Sequence, residues 1–330
     1  MSGLRTLDPD TYTQHWLHTD KSEWPETNCY VDVWIELLHV LGHDPLAALG
    51  FTLRTDLEAD QWTFYKFRHH ELEQLYGIEV IELNPWTTVI DQVCAEVNAG
   101  RPVLVEVDSW FLPDTAATAY RQKHVKSTIA VLHLDTAAPR LVYAHNHSVH
   151  CAVADDFRGI FGLDDPAVLP PYIETVRVDR FPSMGPEAQV TYAIAVLREH
   201  LRCAPMVNPF VRYRDRFEVD LKRLADRGVE FFHDYAFASY RQFGSAFYLA
   251  ACHLEWLVGA APPSVGLEPD LLRRSAASFR GISASARALQ MRSARTAMTA
   301  KLIDASTTLQ SLIDNYDDAM VALRSGLSDT

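Results

Sequence analysis

The chain has 330 residues, 48% of them apolar and 22% charged, with a formal net charge of −13. That balance excludes intrinsic disorder, and the length predicts two cores rather than one. The acidic excess argues against nucleic acid as a partner, because affinity there rests on Lys and Arg neutralising phosphates.

Residues 1–19 carry Asp8, Asp10 and several hydroxyls but no apolar run. The expectation is therefore no leader, no membrane contact and a cytoplasmic location. Five cysteines without a CxxC pair read as reduced thiols, neither a disulfide framework nor a zinc ribbon. Residues 1–180 carry a net −14 and residues 181–330 a net +1, so the two halves differ in kind.

In chain order, Thr27–Asn28 is a capping signal before Val31, Trp34, Ile35, Leu38 and Leu41 at helical spacing, with Gly42 as the stop. Asn84-Pro85 opens a second helix bearing Ile90, Val93, Cys94 and Val97 on one face, ended by Gly100. Pro102–Asp108 reads as a buried strand. Ser127–Leu134 and Leu141–Asn146 read as a hairpin turning through residues 135–140. A further strand at Ile173–Val178 precedes Phe181–Pro186, which has the Pro/Gly content of a linker. From Glu187 onward the periodicity is helical throughout: Tyr192–Leu201, Phe210–Arg227, Val229–Val258 and two stretches within Leu267–Leu323. The expected architecture is α+β, a mixed domain at 1–182 followed by an all-helical bundle at 187–330.

A thiol becomes a nucleophile when its pKa falls, and a helix N-terminus beside an imidazolium lowers it. Cys29 lies in the first turn after the Thr27/Asn28 cap, where the helix dipole favours a thiolate. The alternative is a small buried residue. His145, His147, His150 and Cys151 cluster within seven residues, but no second ligand group at characteristic spacing accompanies them, and no metal site is assigned. His69-His70 reads the same way.

Cys at a helix start, then a Val-rich strand after Gly-Arg-Pro, then His124 at the head of a hairpin resembles the papain-like layout across roughly residues 20–180. The resemblance implies Cys29 as nucleophile, His124 as base and Asn146 as the orienting third member, with Asp135 as fallback. The residue six before Cys29 is Glu23, where such enzymes usually carry Gln, so Asn28 and the Cys29 backbone N–H inherit the oxyanion role. Asn146 follows His124 by twenty-two residues, and a plain hairpin sets it opposite Ile129 or Val131, so a bulge or offset register is required.

Thr27–Tyr30, Val107–Asp114, His124–Thr128 and Ala144–Asn146 resemble the domain-of-unknown-function 1839 family, which is similar in its N-terminal part to butirosin-type papain-like aminoacyltransferases. The resemblance implies transfer of an aminoacyl group, through an acyl-Cys29 intermediate, from the phosphopantetheine thioester of a carrier protein to an amine, alcohol or thiol on a small-molecule acceptor. No cofactor of its own is implied. A peptidase or amidase, or a silent carrier-binding scaffold, are the alternatives. Asp108, Trp110, Phe111 and Asp114 are expected to bind substrate, as an apolar lid with carboxylates for an ammonium group, unless the aromatic rings simply pack under their loop. Arg212, Arg214 and Arg216 are the candidate dock for an acidic carrier, set against a solvated helix face paired to Asp215, Glu218 and Asp226.

Overall fold

A computed structural model describes residues 7–164, 170–262 and 266–327; the first six residues, included in the expectation of no leader, lie outside these. Its elements in chain order are α1 (Cys29–Val40), β1 (Leu57–Glu58), β2 (Gln61–Trp62), α2 (His69–Tyr76), β3 (Glu79–Leu83), α3 (Val89–Asn98), β4 (Val103–Asp108), β5 (Lys126–Asp135), β6 (Arg140–His145), β7 (Ser148–Val153), α4 (Ala154–Ile160), β8 (Ile173–Arg177), α5 (Pro186–Arg202), α6 (Pro209–Ala236), α7 (Gln242–Ala260), α8 (Pro269–Thr299) and α9 (Ser306–Gly326). The architecture is α+β, a sheet-bearing N-terminal region followed by a helical C-terminal region. No helix among the described residues is long and apolar enough to cross a membrane.

The chain forms two compact units: one runs to Pro45 and resumes at Arg68–Met184, and the other joins Leu46–Phe67 to the chain from Gly185 onward. The expected division at 182–187 thus lacks one excursion. Leu46–Phe67 belongs with the helices because of what it buries. Trp62 packs on Phe210, Tyr213 and Phe243, Tyr65 hydrogen-bonds Ser245, and His253 Nδ1 donates to the Leu46 carbonyl at 2.7 Å. Removing one aromatic side chain from such a cluster costs about 3–5 kcal/mol.

In the first unit the strands form one antiparallel sheet in the order β3-β8-β4-β5-β6-β7. Val103, Val105, Val107, Ile129, Val131 and Tyr143 share one face with residues of α3 and α4. Alternation sends Leu104, Glu106, Asp108, Thr128, Ala130 and Ala144 to the opposite face. There α1 packs on β5 and β6, and Tyr30 donates to Glu174 at 3.0 Å. From Tyr30 to Leu38 every residue of α1 is buried, as expected of a helix covered on all sides. The second helix starts at Val89, not Asn84, because the Thr88 hydroxyl caps the Asp91 N–H. In the second unit α6 is broken at Gly228 (φ 76°, ψ −162°), a conformation open to glycine.

Candidate active site

Cys29 is the first residue of α1 and is partly exposed. Asn28 is the N-cap, its side-chain oxygen accepting from the Val31 N–H at 3.0 Å. The cap fixes the Asn28 side chain through its oxygen, and the Cys29 backbone N–H, in the first turn of the helix, has no intrahelical acceptor. All five cysteines are free thiols.

His124 lies two residues before β5. Its Nδ1 is 2.5 Å from Asp108 Oδ2, and its ring stacks on Trp110 at 4.5 Å and 5°. Asp108 Oδ1 also accepts from the Trp110 N–H at 3.0 Å, so a single carboxylate orients the imidazole and the indole beneath it. Neither expected third member is in place. Asn146 makes no hydrogen bond with His124; it is the first residue of the two-residue β6–β7 turn, at φ 48°, a left-handed conformation that Asn tolerates. A bulge does interrupt the β5–β6 register between Val131 and His133, yet continuing the ladder beyond Ala130↔Ala144 sets Asn146 level with Thr128. Asp135 lies at the far end of β5, where it accepts from the Ala137 and Ala138 N–H groups.

The residues flanking Cys29 meet the sheet on the face where Asp108 holds His124. Tyr30 reaches Glu174, which pairs with Leu104, while Glu26, three residues before Cys29, forms an ion pair of 3.5 Å with His147 in the β6–β7 turn. Glu26 is thereby set at the end of the sheet where β4 finishes at Asp108 and β5 begins.

Asp114 has a different duty from the expected one. It is buried on the opposite face, accepting from Tyr143 Oη at 2.6 Å and His145 Nδ1 at 2.5 Å, and His145 Nε2 stands 2.6 Å from Ser127 Oγ. Burial alone would raise the Asp114 pKa, but His145 above all, with His150 and Tyr143, brings it down to about 2. The side chains of the Asp114–His145–Ser127 array are buried, with His145 only 1% exposed. It pins the 109–123 loop that carries Trp110. Phe111 packs against the core so closely that a Cβ on Gly159 would stand 2.0 Å from its ring, leaving Trp110 as the aromatic at His124.

Sequence reading missed the charged groups near Cys29. Asp32 and Glu36, four apart within an apolar helix, are buried around His18, whose Nδ1 is 2.5 Å from Glu36 and whose Nε2 is 3.4 Å from Asp32. Burial alone would lower the His18 pKa; the two carboxylates override it and raise it to about 9. Asp32 also accepts from the Thr27 N–H and, at 2.6 Å, the Thr27 hydroxyl, which fixes the residues that present Cys29. Two acids at i,i+4 amid apolar neighbours were the available signal, since buried carboxylates need a counter-charge.

In the second unit, Arg212 is paired with Asp56, Arg214 with its neighbour Asp215 at 3.3 Å, and Arg216 with Asp220 at 3.1 Å and Asp60 at 3.4 Å. Two of the three expected docking residues thus hold the Leu46–Phe67 segment to α6.

Residues 13–178 match the family model of the DUF1839 N-terminal domain, and residues 186–325 that of the DUF1839 C-terminal domain. No curated protein matches the chain.

Proposed function

From the premise that this chain belongs to the DUF1839 family, we propose that it is a cysteine-dependent acyltransferase of papain-like type, with Cys29 as nucleophile, His124 as its base and Asp108, not Asn146, as the orienting carboxylate. The observation that carries the reading is the Asp108–His124 pair, 2.5 Å apart, at the end of the sheet where Glu26, three residues before Cys29, meets His147. The carboxylate fixes Nδ1 as the proton-bearing nitrogen and leaves Nε2 to exchange a proton with the thiol.

The donor in this reading is an aminoacyl thioester on the phosphopantetheine of a carrier protein, as the resemblance to butirosin-type enzymes implies. A thioester exchanges onto Cys29 at nearly equal energy, and an amine, alcohol or thiol acceptor then releases the acyl group. Transfer rather than hydrolysis requires that water be kept from the acyl-cysteine until the acceptor arrives.

The test is the rate of iodoacetamide labelling at mildly acidic pH, read residue by residue, with exposed Cys203 as internal reference. Cys29 is expected to react at least ten times faster than Cys203, and Cys29→Ala to abolish release of free thiol from an S-acyl-N-acetylcysteamine donor. Labelling of Cys29 no faster than Cys203, or thiol release retained in Cys29→Ala, overturns the reading.

A further inference from the structure

The reading above gives Cys29 a base but leaves open what takes the proton of an incoming acceptor. In the resting pair the His124 proton balances the Cys29 thiolate, with Asp108 on one nitrogen and Trp110 against the ring. A second imidazole stands at the same edge. His147 occupies the second position of the β6–β7 turn, into which the left-handed Asn146 directs the chain. Its Nδ1 faces Glu26 Oε1 at 3.5 Å, and the two side chains are 41% and 39% exposed. Three residues separate Glu26 from Cys29, which bounds their Cα separation at about 10 Å even for extended chain.

The charged and titratable groups facing His147 are Glu26, His18 and Asp32 from the α1 side, and His150 from β7, with ring centroids 6.3 Å apart. Glu26 raises the His147 pKa ahead of the opposing effect of burial. The contact is an ion pair without a hydrogen bond on Nδ1, so it favours the imidazolium, the form that has a proton to give and, once it has given it, can take one back.

Resting on the acyl-Cys29 reading, we propose that His147, ion-paired with Glu26, is the general acid–base group that protonates the departing donor thiolate and takes the proton of the incoming acceptor, an amine in the case that follows. When Cys29 thiolate attacks the donor carbonyl, the C–S bond to the donor breaks and the departing thiolate takes a proton from His147. When the amine attacks the acyl-cysteine, its lone pair forms the C–N bond. The C–S bond then leaves its electrons on Cys29, and the amine proton passes to His147 Nε2. Amide and free thiol are the products, and the enzyme returns to its starting protonation.

The experiment separates the two halves with S-acyl-N-acetylcysteamine as donor. Thiol release reports acylation, and amide formation with a primary alkylamine reports transfer; hydroxylamine, a nucleophile that needs no base, serves as comparison acceptor. His147→Gln is expected to lower alkylamine transfer by about 10²-fold, far more than thiol release, with most of the loss recovered when hydroxylamine is the acceptor. Glu26→Gln is expected to act in the same direction and less. Alkylamine transfer at the unchanged rate in His147→Gln overturns the proposal, and so does an equal loss in thiol release and in transfer to both acceptors, which marks a residue needed for folding or binding. A Cys29-dependent thiol burst absent from the unchanged protein overturns the acyl-cysteine reading itself, and this inference with it.

Discussion

Asp108 Oδ2 stands 2.5 Å from His124 Nδ1, and the same carboxylate accepts the backbone N–H of Trp110, the residue on which the imidazole stacks. One side chain at the end of β4 thereby sets both the tautomer and the plane of the proposed base.

Asp108→Asn is expected to lower turnover by about 10²- to 10⁴-fold, because the amide can present its N–H to Nδ1 and invert the tautomer. Asn146→Ala is expected to leave turnover nearly intact and to destabilise the fold by about 1–2 kcal/mol, the cost of forcing a left-handed residue. Asn146→Gly should restore stability. Thiol-release kinetics and thermal melts of the three variants check the assignment; loss of turnover in Asn146→Ala with Asp108→Asn active reverses it.

Asp114 carries the acid limb of stability. Its folded pKa, about 2, lies below the ordinary aspartate value of 3.8, so its contribution is fully present above that ordinary value and is lost as pH falls through about 2. The difference corresponds to about 2 kcal/mol. Asp114→Asn is expected to lower the melting temperature at neutral pH and to flatten its fall between about pH 4 and pH 2. An unchanged acid limb in the variant would move the acid sensitivity to other carboxylates.

His18 acts in the opposite direction. Its folded pKa, about 9, is raised from 6.5, so its stabilisation is complete below about 6.5 and disappears as pH rises through 9. His18→Gln should melt lower at pH 6 and show a shallower loss between pH 7 and pH 10. It should also slow Cys29 alkylation, because the same network holds Thr27. Unaltered alkylation in a folded His18→Gln would separate the network from the nucleophile.

Arg212 and Arg216 lie four apart on α6 and face Asp56 and Asp60, whereas among the described residues Arg214 pairs with its sequence neighbour Asp215. Exposed pairs of this kind contribute under about 1 kcal/mol each. Arg214→Glu is therefore the substitution that reads carrier docking: it should raise the apparent KM for an acidic carrier donor, more strongly at low salt, while sparing the N-acetylcysteamine donor. An unchanged KM places the dock elsewhere.

The sequence by itself determined every element whose signal is local. The cap at Asn28, the stop at Gly42, the Val-rich β4, the β5–β6 hairpin and the helical second half follow from capping chemistry, periodicity and turn residues acting within a few positions. They also put Cys29 at a helix start and His124 at the head of a strand. Tertiary structure decided what depends on distant partners. Asp108 rather than Asn146 meets His124 because the β4–β5 register brings residue 108 opposite Lys126, and alternation along a strand cannot reveal its register. Asp114 became an internal anchor because folding put Tyr143 and His145 beside it. Leu46–Phe67 joined the helical unit because Trp62 found its aromatic partners more than 140 residues away. A hydrophobic pattern states that a side chain will be buried; the partner it is buried against is set by the packing of the whole unit.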